Sequence, residues 1–336
     1  MKRRTILGVS TAALAVSFAV GWSAPAAAEE NFSLAYFMGP GHPMNGAVFQ
    51  PFADRLAEVS DGQLTVEMFP GGALNSAPPR QYATVVEGVA DIVFALPGYT
   101  AQLFPVTNVI TVPNVAADAV DGTEALWRAR DLIEAEYDAQ ILAMWTNAAP
   151  VLITRDTPIR SLEDLNGMVV RVTSAQDVPF VEALGASAVS QPVSVINQNL
   201  TNGTIDAIAI DPSAIGSFNL WEPANYVTIG LPGSGSAFVL LMNQEVYDGL
   251  SEQEQAWVDE ASGEWLSLNG GQVYLEDALR GIEVARDNGV EIIELSDEEV
   301  ARFNEAMQPA MDAFLASTIS GDLTGADVVD IMQGNN

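Results

Sequence analysis

The 336-residue chain contains no cysteine, so it can form no disulfide, thiolate zinc site, iron–sulfur cluster or cysteine nucleophile. It has one histidine, His42, and a Ser-His-Asp enzyme would have no other imidazole for its base. Its only lysine is Lys2. Cations are scarce throughout: 13 Lys+Arg stand against 44 Asp+Glu, a formal net charge of −31. Such a surface repels nucleic acid and anionic lipid and argues against both as partners. There is no G-x-G-x-x-G after a strand, no Walker A loop, no H-E-x-x-H, no G-x-S-x-G and no EF-hand loop. No cofactor, metal site or catalytic residue is therefore expected.

What is present suits a large folded chain. Hydrophobic residues make up 49% and charged residues 17%, and the length suits about two domains. The first 28 residues read as a leader. Lys2, Arg3 and Arg4 precede an apolar stretch from Ile6 to Val20, and Ala26-Ala27-Ala28 precedes Glu29. That is the layout of a secretory signal peptide, and the stretch is too short for a secure membrane anchor. Cleavage and a periplasmic location are expected. Every cation that remains, apart from the new amino terminus, is one of ten arginines.

Strands and helices alternate in the pattern of the remaining chain. Strands are predicted at 32–37, 64–69 and 91–96, with helices between them near 48–61 and 80–87, which reads as β-α-β-α-β with parallel strands. A helix over 118–137 and a strand over 140–145 continue it. After Ala148-Ala149-Pro150 a second α/β unit follows, with strands at 151–154, 168–172 and 205–210 and helices at 177–184 and 195–201. Another apolar strand covers 237–242. The S-x-x-E boxes at Ser251–Glu254 and Ser296–Glu299 each open a helix. The first pattern runs to Asp287, and Gly270-Gly271 is the expected site of a bend. Trp127, Trp257 and Trp265 fall within helical patterns and read as packing residues.

Arg171 is the unusual residue. It interrupts the apolar strand Met168-Val169-Val170-Arg171-Val172, where a guanidinium needs a partner. Two readings stand: a structural ion pair with one of the many acids, or an anchor for a ligand carboxylate. His42, in the loop Gly39-Pro40-Gly41-His42-Pro43, is either a loop-fixing residue or a ligand contact. Tyr36, Phe37, Tyr99, Trp145 and Phe238 lie at strand ends or in the loops that follow, where both core and pocket are open to them.

The chain resembles the solute-binding proteins of tripartite ATP-independent periplasmic (TRAP) transporters, of the DctP family. The resemblance rests on Gly41-His42-Pro43, Ser60-Asp61-Gly62, Phe69-Pro70-Gly71-Gly72-Ala73-Leu74 and Pro97-Gly98-Tyr99-Thr100. It rests most of all on the run from Pro158 to Val172, followed by Leu184-Gly185-Ala186 and Leu200-x-x-Gly203-x-Ile205-Asp206. It implies an α/β fold of two lobes with a ligand cleft between them and a long helix spanning both. The expected division is 29–148 with about 237–277 for one lobe, and 149–236 with about 278–336 for the other. It also implies that Arg171 binds a ligand carboxylate. Sialic-acid binders of the family carry a second arginine near the position of Val151, so that ligand is not expected.

Strand-end logic then adds candidates. Asn147 could add a hydrogen bond and Asp211 could accept one from a ligand hydroxyl or ammonium. Tyr36, Tyr99 and Phe238 would wall the pocket, with His42 nearby. The expected function is capture of a small organic acid by a monomer and its delivery to TRAP membrane subunits. A ligand sensor acting through a receptor, and a lyase or hydrolase on the same scaffold, are the alternatives.

Overall fold

The computed structural model describes residues 30–335, so the expected leader lies outside the described residues. Two sheets organise the chain. The first contains β1 (Glu30–Ala35), β2 (Leu64–Phe69), β3 (Ile92–Ala95) and β4 (Ala139–Thr146). The second contains β5 (Val151–Thr154), β6 (Val169–Val172), β7 (Ser187–Ser190), β8 (Ala207–Ile210) and β9 (Tyr226–Ile229). The chain then returns to place β10 (Ala237–Asn243) in the first sheet and ends its strand exchange with β11 (Glu291–Glu294) in the second. The orders are β2-β1-β3-β10-β4 and β11-β9-β5-β8-β6-β7.

The parallel parts are those the alternating pattern demands. β1 pairs in parallel with β2 and β3, and β6 with β7 and β8. Connecting helices cover the faces, as crossover connections require. The antiparallel members are the strands that enter after a crossing: β10 beside β3 and β4, and β5 beside β8 and β9. The cores follow from strand alternation. Leu34, Ile92, Phe94, Leu240 and Met242 pack under the first helix, while Val93, Val239 and Leu241 face the other side.

Two helical expectations change in detail. The pattern that begins at Ser251 is two helices, Glu252–Ala261 and Glu264–Asp287, not one. The break is at Gly263, whose φ of +85° favours glycine and whose N–H donates to the Leu142 carbonyl of β4. The second helix runs unbroken through Gly270-Gly271. These glycines are there for contact: a Cβ on Gly270 would lie 2.6 Å from the Trp145 ring, and one on Gly271 2.4 Å from Thr123 Oγ1. The helix expected over 118–137 divides at Ala129 into Ala119–Arg128 and Arg130–Glu134. Trp127 and Trp257 pack against the cores, but Trp265 is exposed.

The helix Glu264–Asp287 is about 36 Å long at 1.5 Å per residue. It packs on β4 and on the helix Ala119–Arg128 of the first lobe, then on the short helix Ser213–Ser217 of the second. At the second contact a Cβ on Gly281 would be 1.9 Å from the Pro212 carbonyl oxygen. Two extended crossings, 147–150 and 230–236, run side by side between the lobes. Gly235 there leaves no room for a side chain against the Asn147 carbonyl, at 1.9 Å, and Gly233 packs on the Pro150 ring.

Candidate functional site

Strand alternation on β6 sends Val170 and Val172 to one face and Arg171 to the other. Arg171 is 1% exposed. Its Nε and Nη2 donate to the Gln191 carbonyl at 2.9 and 2.6 Å, and its Nη1 donates to Thr173 Oγ1 and the Ala209 carbonyl at 3.1 and 3.3 Å. All these acceptors are neutral. The nine other arginines among the described residues each lie within 4 Å of a carboxylate and are at least one-third exposed at the side chain. Arg171, the buried one, has no such carboxylate among the described residues. Asp177 and Asp211 lie close enough to favour its charge without contacting it, but burial is the larger effect and pulls its pKa down.

The guanidinium faces a cavity between the lobes. From the second lobe come Arg171, Thr173, Asp211, Ser213 and Phe218. From the first lobe, with its last strand and the spanning helix, come Phe37, His42, Tyr99, Asn147, Phe238 and Tyr274. Tyr99 follows β3, and its hydroxyl oxygen accepts the Val193 N–H of the opposite lobe at 3.0 Å beside Arg171. Its own proton is left to donate into the cavity.

His42 Nδ1 accepts the Met44 N–H at 3.3 Å, which assigns the ring proton to Nε2. Burial pushes its pKa down to about 4, so the ring is neutral at neutral pH. Asn147, at the end of β4, accepts the Ser236 N–H at 2.6 Å and donates to Asp211 Oδ2 at 2.7 Å. Asp211 also accepts the N–H and hydroxyl of Ser213, and burial pushes its pKa up to about 6. Phe238 stacks on Tyr274 at 5.0 Å on one side and on Phe94 at 5.1 Å on the other.

Six of the seven residues singled out from the sequence therefore line one cavity: Arg171, Asn147, Asp211, Tyr99, Phe238 and His42. Tyr36 does not. It shares the inward parity of Leu34, packs on the Phe49 ring at 4.7 Å and donates its hydroxyl proton to Asn45, so burial pushes its pKa up to about 12. Phe37, one residue on, takes the opposite face and reaches the cavity.

Sequence reasoning missed Thr173, Ser213, Phe218 and Tyr274. Tyr274 carried one usable signal: it shares a helix face with Gly270, Gly271, Ala278 and Gly281, a large ring among small residues.

A cleft between two α/β lobes, crossed by paired connections and closed over a buried cation, defines the class of bilobal ligand-binding proteins. Over residues 34–318 the chain matches the bacterial extracellular solute-binding proteins, family 7 (DctP), and it belongs to that family. It is 26% identical over 303 residues to the outer membrane transporter protein TsaT of Comamonas testosteroni, covering 87% of this chain and 88% of that one. It is 25% identical to the 2,3-diketo-L-gulonate-binding periplasmic protein YiaO of Escherichia coli K12, covering 76% and 78%. Among solved structures, a marine-metagenome TRAP solute-binding protein specific for aromatic acids, in complex with 3-hydroxybenzoate, matches at 27% identity with a TM-score of 0.86, covering 91% and 98%. The family, YiaO and the marine-metagenome protein are binding proteins for small solutes.

Proposed function

We propose that the protein, once its leader is removed, is a periplasmic monomer that captures a small monocarboxylic acid with an apolar, ring-bearing body. It then delivers the acid to the membrane subunits of a TRAP transporter. The observation that carries this is Arg171, the buried arginine whose guanidinium is oriented by neutral oxygens and lacks a carboxylate partner among the described residues. A ligand carboxylate supplies the missing charge. The stacked rings of Tyr274 and Phe238, which line the cavity, suit an aromatic or apolar body. The His42 Nε2–H and the Asp211 carboxylate suit a hydroxyl on that body, as donor and acceptor. Support also comes from the 3-hydroxybenzoate complex of the related aromatic-acid binder.

In this mechanism the acid docks on Arg171 in the open cleft and the lobes close about it. Closure is held by the hydrogen bond from Val193 N–H to the Tyr99 hydroxyl and by one from Gln176 Nε2 to the Asn108 carbonyl at 3.0 Å. The test begins with the acid released from purified protein, identified by mass spectrometry and titrated by calorimetry. Arg171→Ala weakens its binding by about 30-fold to several thousand-fold, the cost of truncating one partner of a buried charge pair. Arg171→Lys also fails, since an ammonium cannot make two parallel bonds. Near-normal affinity in a folded alanine variant overturns the proposal.

A further inference from the structure

A second cavity lies against the first. It is the larger of the two and shares four wall residues with the first: Asn147, Thr173, Ile210 and Asp211. The Asn147–Asp211 hydrogen bond stands on this shared wall. Beyond it the lining is aliphatic and aromatic. Val170 and Val172 of β6 contribute the face opposite Arg171, and Phe180, Val181 and Leu184 contribute the covering helix. No arginine or histidine lines it. Two carboxyls do: Asp177, which accepts the Ser174 N–H, and Asp211, which accepts from the Ser213 N–H and hydroxyl and the Asn147 amide.

We propose that this chamber receives the apolar far end of an elongated monocarboxylic acid whose carboxylate is held by Arg171. The inference rests on Arg171 as the anchor. The first cavity is small and has the cation; the second is large, apolar and cation-free, and the two meet at one wall. An acid confined to the first would leave the larger space unused. An acid that passes Thr173 and Asp211 buries its body among valine, leucine and phenylalanine side chains. The two carboxyls set the sign of the selection. A second carboxylate at the far end would meet Asp177 and Asp211 in a chamber lined by no arginine or histidine, so dicarboxylic acids are rejected.

The experiment is calorimetric titration of the purified full-length mature protein with benzoate, phenylacetate, 4-phenylbutyrate and 6-phenylhexanoate. Affinity is expected to rise along the series by up to roughly fourfold per added methylene. A para-carboxylate on the ring of 6-phenylhexanoate removes that gain. Val181→Trp plugs the chamber from the helix Val178–Ala183, away from Arg171. It abolishes the advantage of the long acids and leaves benzoate within about twofold. Leu184→Trp is a second, independent plug.

A flat or falling series in wild-type protein that binds benzoate through Arg171 overturns the chamber and leaves the anchor standing. So does a rise that persists in both plugged variants. Wild-type protein that binds its own recovered acid through Arg171 but no member of the series also overturns the chamber alone. Binding of every acid that is indifferent to Arg171→Ala overturns the anchor and the chamber together. The wild-type series needs no variant to fold, so it decides the matter even if a plug destabilises the protein.

Discussion

Arg171 owes its readiness to neutral oxygens. Two carbonyls and a hydroxyl fix the guanidinium plane without cancelling its charge. A carboxylate in direct contact with it would have filled the role of the ligand. His42 and Tyr99 are fixed in the same way, the ring Nδ1 of one and the hydroxyl oxygen of the other each accepting a backbone N–H, which leaves each a proton to donate. Tyr99→Phe removes the hydroxyl that joins the lobes at Val193. It should weaken ligand binding by about five- to tenfold, close to the worth of one hydrogen bond, while the free protein melts as before.

His42 makes a pH statement. Its folded pKa of about 4 lies below the ordinary value of 6.5. Between those values the unfolded chain binds a proton and the folded one does not. The stability it contributes is therefore full above pH 6.5 and falls as the pH drops towards 4. Asp211 acts in the opposite sense, because its folded pKa of about 6 lies above the ordinary carboxyl value. A His42→Gln variant isolates the first effect. Between pH 7 and 5 the wild type should lose about 2 kcal/mol more than the variant in urea titrations.

At this scale the sequence was informative wherever chemistry broke a pattern. An arginine inside an apolar strand and a histidine in a glycine-proline loop stand out from their neighbours by residue type alone. Tyr36 and Phe37 were not separable. Adjacent residues at a strand end differ only in parity, and the register that sets parity is decided by the neighbouring strands.

Among the elements, the spanning helix is defined more by its small residues than by its large ones. Gly270, Gly271 and Gly281 let its backbone approach one lobe and then the other. Gly281→Ala places a Cβ into the Pro212 carbonyl, and backbone cannot step aside as a side chain can. The expected cost is about 1–3 kcal/mol, read as a fall in the urea midpoint. Because Asp211 precedes Pro212, affinity should fall with stability.

The S-x-x-E boxes correctly mark the helix starts at Ser251 and Ser296, since both hydroxyls accept the N–H three residues on. The break at Gly263 was hidden, because the periodicity of apolar residues continues across it and only the bond to Leu142 in another element explains it. The strands β7, β9 and β11 were hidden too. Each is four residues long, and β7 and β11 lie at the edges of their sheet, where partial exposure mixes polar and apolar positions.

For the molecule as a whole, closure about a ligand should register as size and as stability. Small-angle scattering is expected to give a smaller radius of gyration with the acid bound than without it. The melting temperature should rise with ligand concentration, since the acid binds only the folded protein. Identical scattering in both states, at proven saturation, would mean a pocket that does not depend on lobe movement. The two-lobed plan was legible from the alternation of strands and helices and from the order of the family's motifs. How the lobes share strands was not, because pairing between β10 and β4 joins residues nearly a hundred positions apart, beyond the reach of any local pattern.

That exchange of strands governs the order in which the protein can be made. The first sheet has β3 and β4 early, but β10, which lies between them, is synthesised only after the whole of β5 to β9. Until then those two strands have no partner between them, and the ring column that ends in Tyr274 lacks its two later members. The second sheet waits in turn for β11. Neither lobe is an independent folding unit in time, so a nascent chain shorter than about 240 residues has no complete sheet to settle into. Contacts this distant in sequence favour slow folding. A fragment ending at residue 148 should remain unfolded by circular dichroism, and addition of the remaining chain, not of ligand, is what should restore it.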